Sequence, residues 1–400
     1  MKLSYVIVTR NRCQALLRTL DLLERNTGLP RHSWEVIVID NASDDDTVSR
    51  VARLADRVRL VRLDENEGIP ARNRGLPLMK GKYVVFLDDD SYPMPGAIPA
   101  ALQYLAKHTK TAGLVARVVL PDGTAEAPAF PAVTIGGATV LRSDIIRSVG
   151  GFAPEFFRQA EEYDLSFRLW AKGYKVERFE DIVFGHDKVP GGRSPALVHR
   201  MDLRNNLILV ERYLPRPLRK IYRHEFIQRY AILATSEGHH DAANAALHDA
   251  RVWARREAKV GRKTLTDETV EKIFELGSQA RAVSAWAKKH AIRTVAIADW
   301  SKNIYATWNA CRAAGLQIVG VAENSPAFAG KTYRGAPVLR DDDAAYRMLD
   351  GVVLSTISPA KVGPRMEALV RRFAVPTLPL WQPRFLAEDP SIPQSKRISA

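Results

Sequence analysis

The sequence contains little cysteine: only Cys13 and Cys311 occur among its 400 residues, and they lie far apart. A disulfide framework needs several cysteines, and a cysteine-based zinc site needs closely spaced ones, so both are excluded as organising features. A chain that does not depend on disulfides suits a reducing compartment. We therefore expect a cytoplasmic location.

Long apolar runs are also missing. Residues 1–10 contain too short an apolar run for a signal peptide, and no later segment approaches the roughly 18 apolar residues of a membrane-spanning helix. Hydrophobic residues make up 46% of the chain and charged residues 26%, without any tract of biased composition. This composition is typical of a globular protein, so any membrane contact is expected to be peripheral, at the inner face.

Acidic residues are in deficit, with 45 Asp and Glu against 59 Lys and Arg, and the formal net charge is +14. Such an excess favours anionic partners, including nucleic acid, membrane surfaces and phosphorylated substrates. The basic residues cluster only modestly, at 255–256 and 262–263, and no zinc-finger or RNA-recognition signature accompanies them. We expect no nucleic-acid partner and retain two interpretations: solvated helix faces, or a surface that contacts a membrane or an anionic acceptor.

Residues 1–215 have the pattern of an α/β domain with a mainly parallel sheet. Apolar, β-branched runs at 3–9 and 34–40 predict strands, and leucines at helical spacing separate them. Further strands are predicted at 57–63, 83–87, 113–120 and 132–141, with helices at 69–79 and 160–172. Because ligands bind beyond the carboxyl ends of parallel strands, Asp40 and Asp88 lie where a site is expected.

Two more segments follow this domain. Pro215 and Pro217 interrupt the pattern, and residues 216–290 are predicted to form a helical connector. Residues 291–400 have a smaller α/β pattern that looks like a Rossmann-like domain. The turn at 299–303 lacks the glycines that let a backbone approach a pyrophosphate, so dinucleotide binding is not indicated. We interpret this domain as structural or protein-contacting.

The acidic run Asp88-Asp89-Asp90 follows a predicted strand. Three adjacent carboxylates repel one another, and a divalent cation is the simplest compensation. Side chains alternate along an extended segment, so Asp88 and Asp90 should share a face, and Asp89 should tolerate replacement best. Oxygen ligands suit Mg²⁺ or Mn²⁺. The alternative is a solvated loop or a helix cap, but the position of the run at a strand end favours the metal.

Several blocks in this order and spacing resemble one family, the inverting nucleotide-sugar glycosyltransferases of family 2, which have a GT-A fold. The similarity runs from residue 4 to about residue 214, and its blocks are VIVTRNR (6–12), VIDNASD (38–44), NEG (66–68), ARNRG (71–75), FLDDDS (86–91), GG (136–137), GGF (150–152) and EEYDLSFR (161–168). The resemblance implies an Asp-x-Asp metal motif at Asp88 and Asp90. It also implies a donor site formed by Thr9, Asn11, Asp40, Asn66, Arg72, Asp88 and Asp89.

The resemblance implies a catalytic base as well. In the family this base is the second acid of a Glu-Asp pair, which here reads Glu161-Glu162. Glu162 is therefore the expected base, with Glu161 as the alternative, and acids at a helix start are the structural explanation. Acceptor contacts are expected at Gly136, Gly137 and Asp164. His186 falls where many relatives place a metal ligand, although a loop histidine is ordinarily exposed to solvent.

These observations together predict a metal-dependent glycosyltransferase that moves a sugar from a nucleotide-diphosphate sugar to a glycan or glycolipid hydroxyl, with inversion. Envelope polysaccharide or glycolipid synthesis would be its setting, with peripheral membrane or protein-complex contact. Two alternatives stay open. One is a nucleotide-sugar sensor or assembly scaffold without turnover. The other is a nucleotidyltransferase, which is disfavoured because no Gly-rich loop follows the first strand.

Overall fold

The structure is a computed structural model that describes residues 1–189 and 194–388. Internal contacts divide the chain into two compact units. Among the described residues, unit 1 comprises 1–127, 132–189 and 383–388, and unit 2 comprises 128–131 and 194–382. The three-part division predicted from the sequence, with boundaries at 215 and 290, stays a prediction.

Unit 1 is built on a mixed sheet. Its strands are β1 (Leu3–Thr9), β2 (Trp34–Asp40), β3 (Val58–Arg62), β4 (Tyr83–Asp88), β5 (Ser91–Pro93), β6 (Thr111–Val119), β7 (Ala125–Glu126), β8 (Thr139–Arg142) and β9 (Lys175–His186). They follow the order β3-β2-β1-β4-β8-β6-β9-β5, and β7 pairs with β6. Strands β3, β2, β1 and β4 are parallel, which confirms the predicted α/β class. The strand predicted at 132–141 was too long, because Gly137, with φ of 85°, interrupts the extended backbone.

Helices cover both faces of this sheet. They are α1 (Cys13–Asn26), α2 (Thr47–Ala52), α3 (Ala97–Lys107), α4 (Ser143–Ser148) and α5 (Glu161–Ala171). Alternate residues of β1 enter two hydrophobic clusters: Tyr5 and Ile7 pack with α1 and α3, while Val6 packs with α4 and α5. Residues 69–75 form a 3₁₀ helix instead of the longer predicted helix. The carboxyl ends of β2, β1 and β4 meet at one edge of the sheet, which fixes the place of the candidate site.

Unit 2 begins with α6 (Pro195–Tyr213), α7 (Arg216–Ser236), α8 (His240–Val260), α9 (Asp267–Phe274) and α10 (Leu276–His290). A second sheet follows, formed by β10 (Thr294–Ala298), β11 (Gln317–Ala322), β12 (Thr332–Tyr333), β13 (Ala336–Leu339), β14 (Gly351–Leu354) and β15 (Thr377–Pro379), with helices α11 (Ile304–Ala313) and α12 (Pro359–Arg372). Its strand order is β12-β13-β11-β10-β14-β15. All neighbours except β12 and β13 are parallel, as in a Rossmann-like sheet.

Protein side chains occupy the edge of this second sheet. Arg365 Nε donates to Asp299 Oδ1 at 2.7 Å, and its Nη2 donates to Asp341 Oδ1 at 2.8 Å. Glu323 accepts hydrogen bonds from the backbone N–H groups of residues 300 and 325. These contacts give each group a structural partner. Within the described ranges, none of the helices has the length and apolar character needed to cross a membrane.

Candidate functional site

The site lies at the carboxyl ends of the parallel strands of unit 1. In the register of the sheet, Thr9 of β1 lies opposite Asp40 of β2, and Val8 lies opposite Asp88 of β4. Strand pairing therefore brings residues separated by dozens of positions to one edge. Thr9 and Asp40 are buried, whereas the side chain of Asp88 keeps 32% of its surface exposed. Asp88 is thus open to a ligand.

Three potential metal ligands converge at this edge. Strand β5 runs antiparallel to β9 and pairs Ser91 with His186, so the histidine lies beside the acidic run. One ligand atom each from Asp88, Asp90 and His186 lies within 4.8 Å of the others. Two carboxylate oxygens and one imidazole nitrogen form a donor set that fits a divalent transition ion such as Mn²⁺ better than Mg²⁺. The structure thereby brings together the residues predicted for the metal.

Asp90 and His186 form a charged pair. His186 Nε2 lies 3.3 Å from Asp90 Oδ1, an ion-pair contact without the alignment of a hydrogen bond. Burial disfavours the charged form of both groups. Contacts with His186 and Arg12 outweigh burial and lower the pKa of Asp90 to about 2. Contacts with Asp90 and Glu126 likewise outweigh burial and raise the pKa of His186 to about 9. In the absence of a metal ion, the protonated His186 ring supplies positive charge beside Asp90.

Glu126 is a site residue that the sequence analysis missed. Its Oε2 lies 2.8 Å from His186 Nδ1, and its Oε1 lies 3.3 Å from Lys188 Nζ. The hydrogen bond with His186 lowers the pKa of Glu126. A carboxylate that binds Nδ1 directs Nε2 toward Asp90, as metal-binding histidines require. No local signal identifies Glu126, because it lies in the short strand β7, 60 positions before its partner.

Asp89 faces inward and has a different environment. Thr9 Oγ1 donates to Asp89 Oδ2 at 2.8 Å, and Arg12 Nε lies 3.1 Å from Asp89 Oδ1. Burial, opposed by Arg12 and by the Thr9 hydroxyl, raises the pKa of Asp89 to about 7. Arg12 Nη2 also contacts Asp90, so one guanidinium joins two of the three aspartates. Arg12 is the second site residue to which the sequence analysis gave no role, although it is the last residue of the motif VIVTRNR (6–12).

Arg72 lies under the open carboxylate of Asp88. It is only 1% exposed and donates from Nη2 to Asp88 Oδ1 at 2.6 Å. Its Nε is buried without a hydrogen-bond partner. The backbone at Gly136 and Gly137 passes directly over this pair. A Cβ on Gly136 would lie 3.4 Å from Arg72 Nη1, and one on Gly137 would lie 3.4 Å from Asp88 Oδ2. The two glycines therefore lie directly against the predicted donor residues.

Glu161 and Glu162 begin helix α5, and the Glu162 side chain lies close enough to influence the pKa of Glu161. Glu161 is 6% exposed, and its Oε2 is buried without a hydrogen-bond partner. Burial, opposed by the charge of Arg72, raises the pKa of Glu161. Glu162 is half-buried. The pair thus differs in environment, with the first carboxyl group enclosed and the second one closer to solvent.

The remaining predicted donor residues shape the surrounding loops. Asn11, with φ of 53°, accepts from the Asp44 N–H at 2.8 Å through its side-chain oxygen. Asn66 accepts from Asn41 Nδ2 at 2.9 Å. Asp40 Oδ2 accepts from the Ser43 N–H at 3.2 Å, whereas its Oδ1 is buried without a hydrogen-bond partner. Asp40 is therefore the member of this group with an acceptor atom to offer a ligand.

Asp164, predicted to contact the acceptor, is fully buried on helix α5. Its Oδ2 accepts from Arg168 Nε at 2.9 Å and from Nη2 at 2.7 Å. Arg168 in turn donates to the carbonyl of Gly151 at 2.7 Å. These contacts fasten the loop before α5 to the helix, which is a positioning arrangement. Acceptor binding by Asp164 stays a prediction.

Two family models match the chain: Glycosyl transferase family 2 over residues 4–142, and Glycosyl transferase family group 2 over residues 103–230. Among curated proteins, the uncharacterized glycosyltransferase YwdF of Bacillus subtilis is 32% identical over 116 residues, covering 29% of this chain and 41% of that protein. The poly(ribitol-phosphate) beta-N-acetylglucosaminyltransferase TarS of Staphylococcus aureus is 23% identical over 203 residues, covering 46% and 35%. The chain thus matches less than half the length of each relative.

A solved structure is similar over a larger share of the chain. It is S. aureus TarS 1–349 in complex with UDP-GlcNAc, with a TM-score of 0.50 and 17% identity, covering 77% of this chain and 89% of that one. At this identity the likeness shows the fold alone, and it confirms the GT-A type expected from the sequence. The family models confirm the resemblance to family 2 glycosyltransferases over residues 4–230.

Proposed function

We propose that this chain, whose residues 4–230 resemble family 2 glycosyltransferases, transfers a sugar from a nucleotide-diphosphate sugar to an acceptor hydroxyl, with inversion at the anomeric carbon. The observation that carries the proposal is the convergence of Asp88, Asp90 and His186 beside Arg72, at the carboxyl ends of parallel strands. Sheet edges of this kind are where nucleotides bind in α/β folds.

Asp88, Asp90 and His186 would hold the metal ion, for which we favour Mn²⁺ over Mg²⁺ because imidazole is one of the three donors. A bound divalent cation would supply positive charge to the leaving nucleoside diphosphate. Arg72 adds a buried guanidinium whose Nε has no hydrogen-bond partner and which lies next to the partly exposed Asp88. A planar guanidinium suits phosphate oxygens, so Arg72 is assigned to the diphosphate.

Asp40 is assigned to the nucleoside. Its Oδ1 is buried, has no hydrogen-bond partner and lies at the strand end opposite Thr9. An orphaned carboxylate oxygen in this position gains a hydrogen bond when a base N–H or a ribose hydroxyl approaches. The Thr9 hydroxyl donates a hydrogen bond to Asp89. The side-chain oxygens of Asn11 and Asn66 accept hydrogen bonds from neighbouring loop residues. Their contribution to donor binding is therefore proposed to be through loop position.

Glu162 is assigned as the general base. We propose that the two adjacent carboxyl groups share one proton and that Glu161 holds it, because burial raises the pKa of Glu161. Glu162 is then the carboxylate, and its half-buried position leaves it accessible to an acceptor hydroxyl. It would accept the hydroxyl proton as the oxygen attacks the anomeric carbon and the nucleoside diphosphate departs. Glu161, which is influenced by the charge of Arg72, would hold the shared proton and so leave Glu162 ionised.

For the acceptor we propose a hydroxyl of an envelope glycan or glycolipid. The support is the match over 46% of this chain to TarS, which is a poly(ribitol-phosphate) beta-N-acetylglucosaminyltransferase. Gly136 and Gly137, which lie against Arg72 and Asp88, are proposed to border this acceptor. A location on the cytoplasmic side of the membrane, with peripheral contact, belongs to the same proposal.

The test is release of nucleoside diphosphate from a panel of UDP-, GDP- and dTDP-sugars, with Mn²⁺ and with a chelator. We expect one donor to be consumed in the presence of Mn²⁺, and chelation to abolish the release. Donors that bind tightly but stay intact in every condition would contradict transfer and support the sensor. Release of sugar 1-phosphate would instead support nucleotidyl transfer, because the nucleoside monophosphate then passes to the acceptor.

A further inference from the structure

Two basic stretches of unit 2 lie far apart in sequence. The first is the amino-terminal half of α7, and the second is the carboxyl-terminal half of α8 with the residues after it. The exposed cations of these stretches, called here the basic surface, are Arg216, Lys220, Arg223, Arg251, Arg255, Arg256, Lys259 and Lys263. In the sequence, only the two adjacent pairs at 255–256 and 262–263 attract attention.

The fold brings the two stretches to the same end of a helical hairpin. Helices α7 and α8 are joined by only three residues, 237–239, so the start of α7 and the end of α8 lie together. Arg223 Nη1 and Arg262 Nη2 both contact Glu211, at 3.2 and 3.6 Å. Burial is the larger cause, but the positive charge of Arg262 also lowers the pKa of Arg219. These contacts cross from one stretch to the other.

Two acids at this end, Glu211 and Glu257, are buried and already compensated. Glu211 contacts Arg223 and Arg262, and Glu257 accepts from Arg212 Nη2 at 2.6 Å. The carboxylate groups of Glu211 and Glu257 are 9% and 5% exposed. The side of the hairpin end formed by α7 and α8 therefore presents cations, while these two carboxylates lie underneath. Such a one-sided field attracts an extended anionic surface.

Apolar side chains stand among these cations. Val252 is 53% exposed and Val260 is 71% exposed, and both belong to the outward side of α8. Arg256 covers the ring of Trp253, with its guanidinium 4.6 Å from the ring centroid. A helix face that combines Lys and Arg with apolar residues suits the headgroup region of a bilayer, where cations meet phosphates and short apolar side chains reach the acyl boundary. Nucleic acid offers no counterpart for the two valines.

We propose that the basic surface docks the protein on a bilayer that contains anionic phospholipids. Arg251, Arg255 and Lys259, at i, i+4 and i+8 of α8, contact the phosphates, and Val252 and Val260 enter the interface beside them. This inference does not rest on the proposed transferase activity, because binding to vesicles is measured without any donor or acceptor. It assigns a place to part of the positive charge that the sequence shows only as an overall excess.

The experiment is co-sedimentation of the 400-residue chain with vesicles of phosphatidylcholine alone, or of equal parts phosphatidylcholine and phosphatidylglycerol. The test variant is Arg251→Glu/Arg255→Glu/Lys259→Glu. The control is Lys288→Glu/Lys289→Glu/Arg312→Glu, which makes the same change of net charge at exposed positions of α10 and α11. We expect the unaltered protein to bind the anionic vesicles, the test variant to bind at least about tenfold more weakly, and the control to change by less than about threefold.

A separate variant, Val252→Gln/Val260→Gln, keeps all the charges and should also weaken binding. Circular dichroism melting curves verify that each variant is folded, and an unfolded triple variant is replaced by Arg255→Gln/Lys259→Gln. Failure of the unaltered protein to bind anionic vesicles at low salt overturns the proposal. So does equal weakening in the test and control variants, or binding to polyphosphate or RNA in preference to vesicles.

Discussion

His186 and Glu126 show how one contact prepares a residue for a metal. The imidazole has two nitrogens, and Nδ1 is already bound to Glu126 at 2.8 Å. The other nitrogen, Nε2, lies next to Asp90 and has no aligned hydrogen-bond partner. Metal-binding histidines commonly have this carboxylate behind them, because it fixes the ring orientation and increases ligand basicity. Glu126 is thus a positioning residue for the proposed metal site.

We predict that Glu126→Ala lowers Mn²⁺ affinity by about 10- to 100-fold, because His186 loses the partner that orients it. Glu126→Gln retains an acceptor for His186 Nδ1, so its Mn²⁺ affinity should lie between those of the unaltered protein and Glu126→Ala. Titration of Mn²⁺ followed by electron paramagnetic resonance measures this directly. Asp122→Ala is the control. Asp122 is an exposed acid nearby whose carboxylate accepts hydrogen bonds from the N–H and hydroxyl groups of Thr124. Unchanged Mn²⁺ affinity in Glu126→Ala would contradict the assignment.

The acidic run shows the limit of residue-by-residue prediction. The alternation of side chains indicated that Asp88 and Asp90 belong together, and the structure places both in the cluster with His186. The same argument made Asp89 the most replaceable of the three. The structure argues against that expectation, because Asp89 is 5% exposed and bound by Thr9 and Arg12. Alternation predicts the direction in which a side chain points. It does not reveal whether solvent or partners such as Thr9 and Arg12 lie in that direction.

At the scale of elements, the site depends on a loop that passes close to β4. The segment before β8 was predicted as strand, but Gly137 has φ of 85° and turns the chain over Asp88 and Ser91. A Cβ at this position would lie 2.9 Å from Ser91 Oγ and 3.4 Å from Asp88 Oδ2. The glycine is therefore required both by the backbone conformation and by the close approach of the loop to the site.

We predict that Gly137→Ala lowers Mn²⁺ and donor affinity by at least about tenfold, because Ser91 and Asp88 must shift to admit the methyl group. Gly123→Ala is the matched control. Gly123 has nearly the same φ, 82°, and no atom lies within 4 Å of a Cβ built there. Both variants should lose similar stability, about 1 kcal/mol, from the left-handed conformation. Calorimetric titration of metal and nucleotide separates them, and equal losses of affinity would show that crowding at Asp88 is unimportant.

The parallel strands were predictable, and the reason is chemical. Strands β1, β2 and β4 are buried on both faces, so their sequences are continuous apolar runs that begin and end within one residue of the prediction. Short elements were harder. Strand β7 has two residues and little pattern, and the 3₁₀ helix at 69–75 resembles the start of a longer helix. Elements held by contacts with distant parts of the chain leave little periodicity to detect.

At the scale of the whole molecule, the two units carry different chemistry. Unit 1 holds the described candidate site, and unit 2 holds the helical hairpin and the Rossmann-like sheet. The turn after β10 lacks the glycines of a dinucleotide-binding loop, so the sequence did not indicate dinucleotide binding. At this edge of the sheet, Arg365 donates hydrogen bonds to Asp299 and Asp341. The basic surface was not predictable, because helix pairing brings its two halves together. Sequence patterns describe faces of single helices, whereas a shared surface requires their arrangement.

Sugar transfer with Glu162 as the general base is the mechanism that we propose for this chain. The most direct test compares Glu162→Gln with Glu161→Gln, using the donor identified in the panel, and measures donor binding and transfer separately. Glutamine at position 162 removes the proposed base. Glutamine at position 161 resembles the protonated carboxyl group that we propose there. We predict that Glu162→Gln binds donor normally but transfers at least about 100-fold more slowly, and that Glu161→Gln keeps transfer within about tenfold. Normal transfer by Glu162→Gln, or loss confined to Glu161→Gln, would contradict the account.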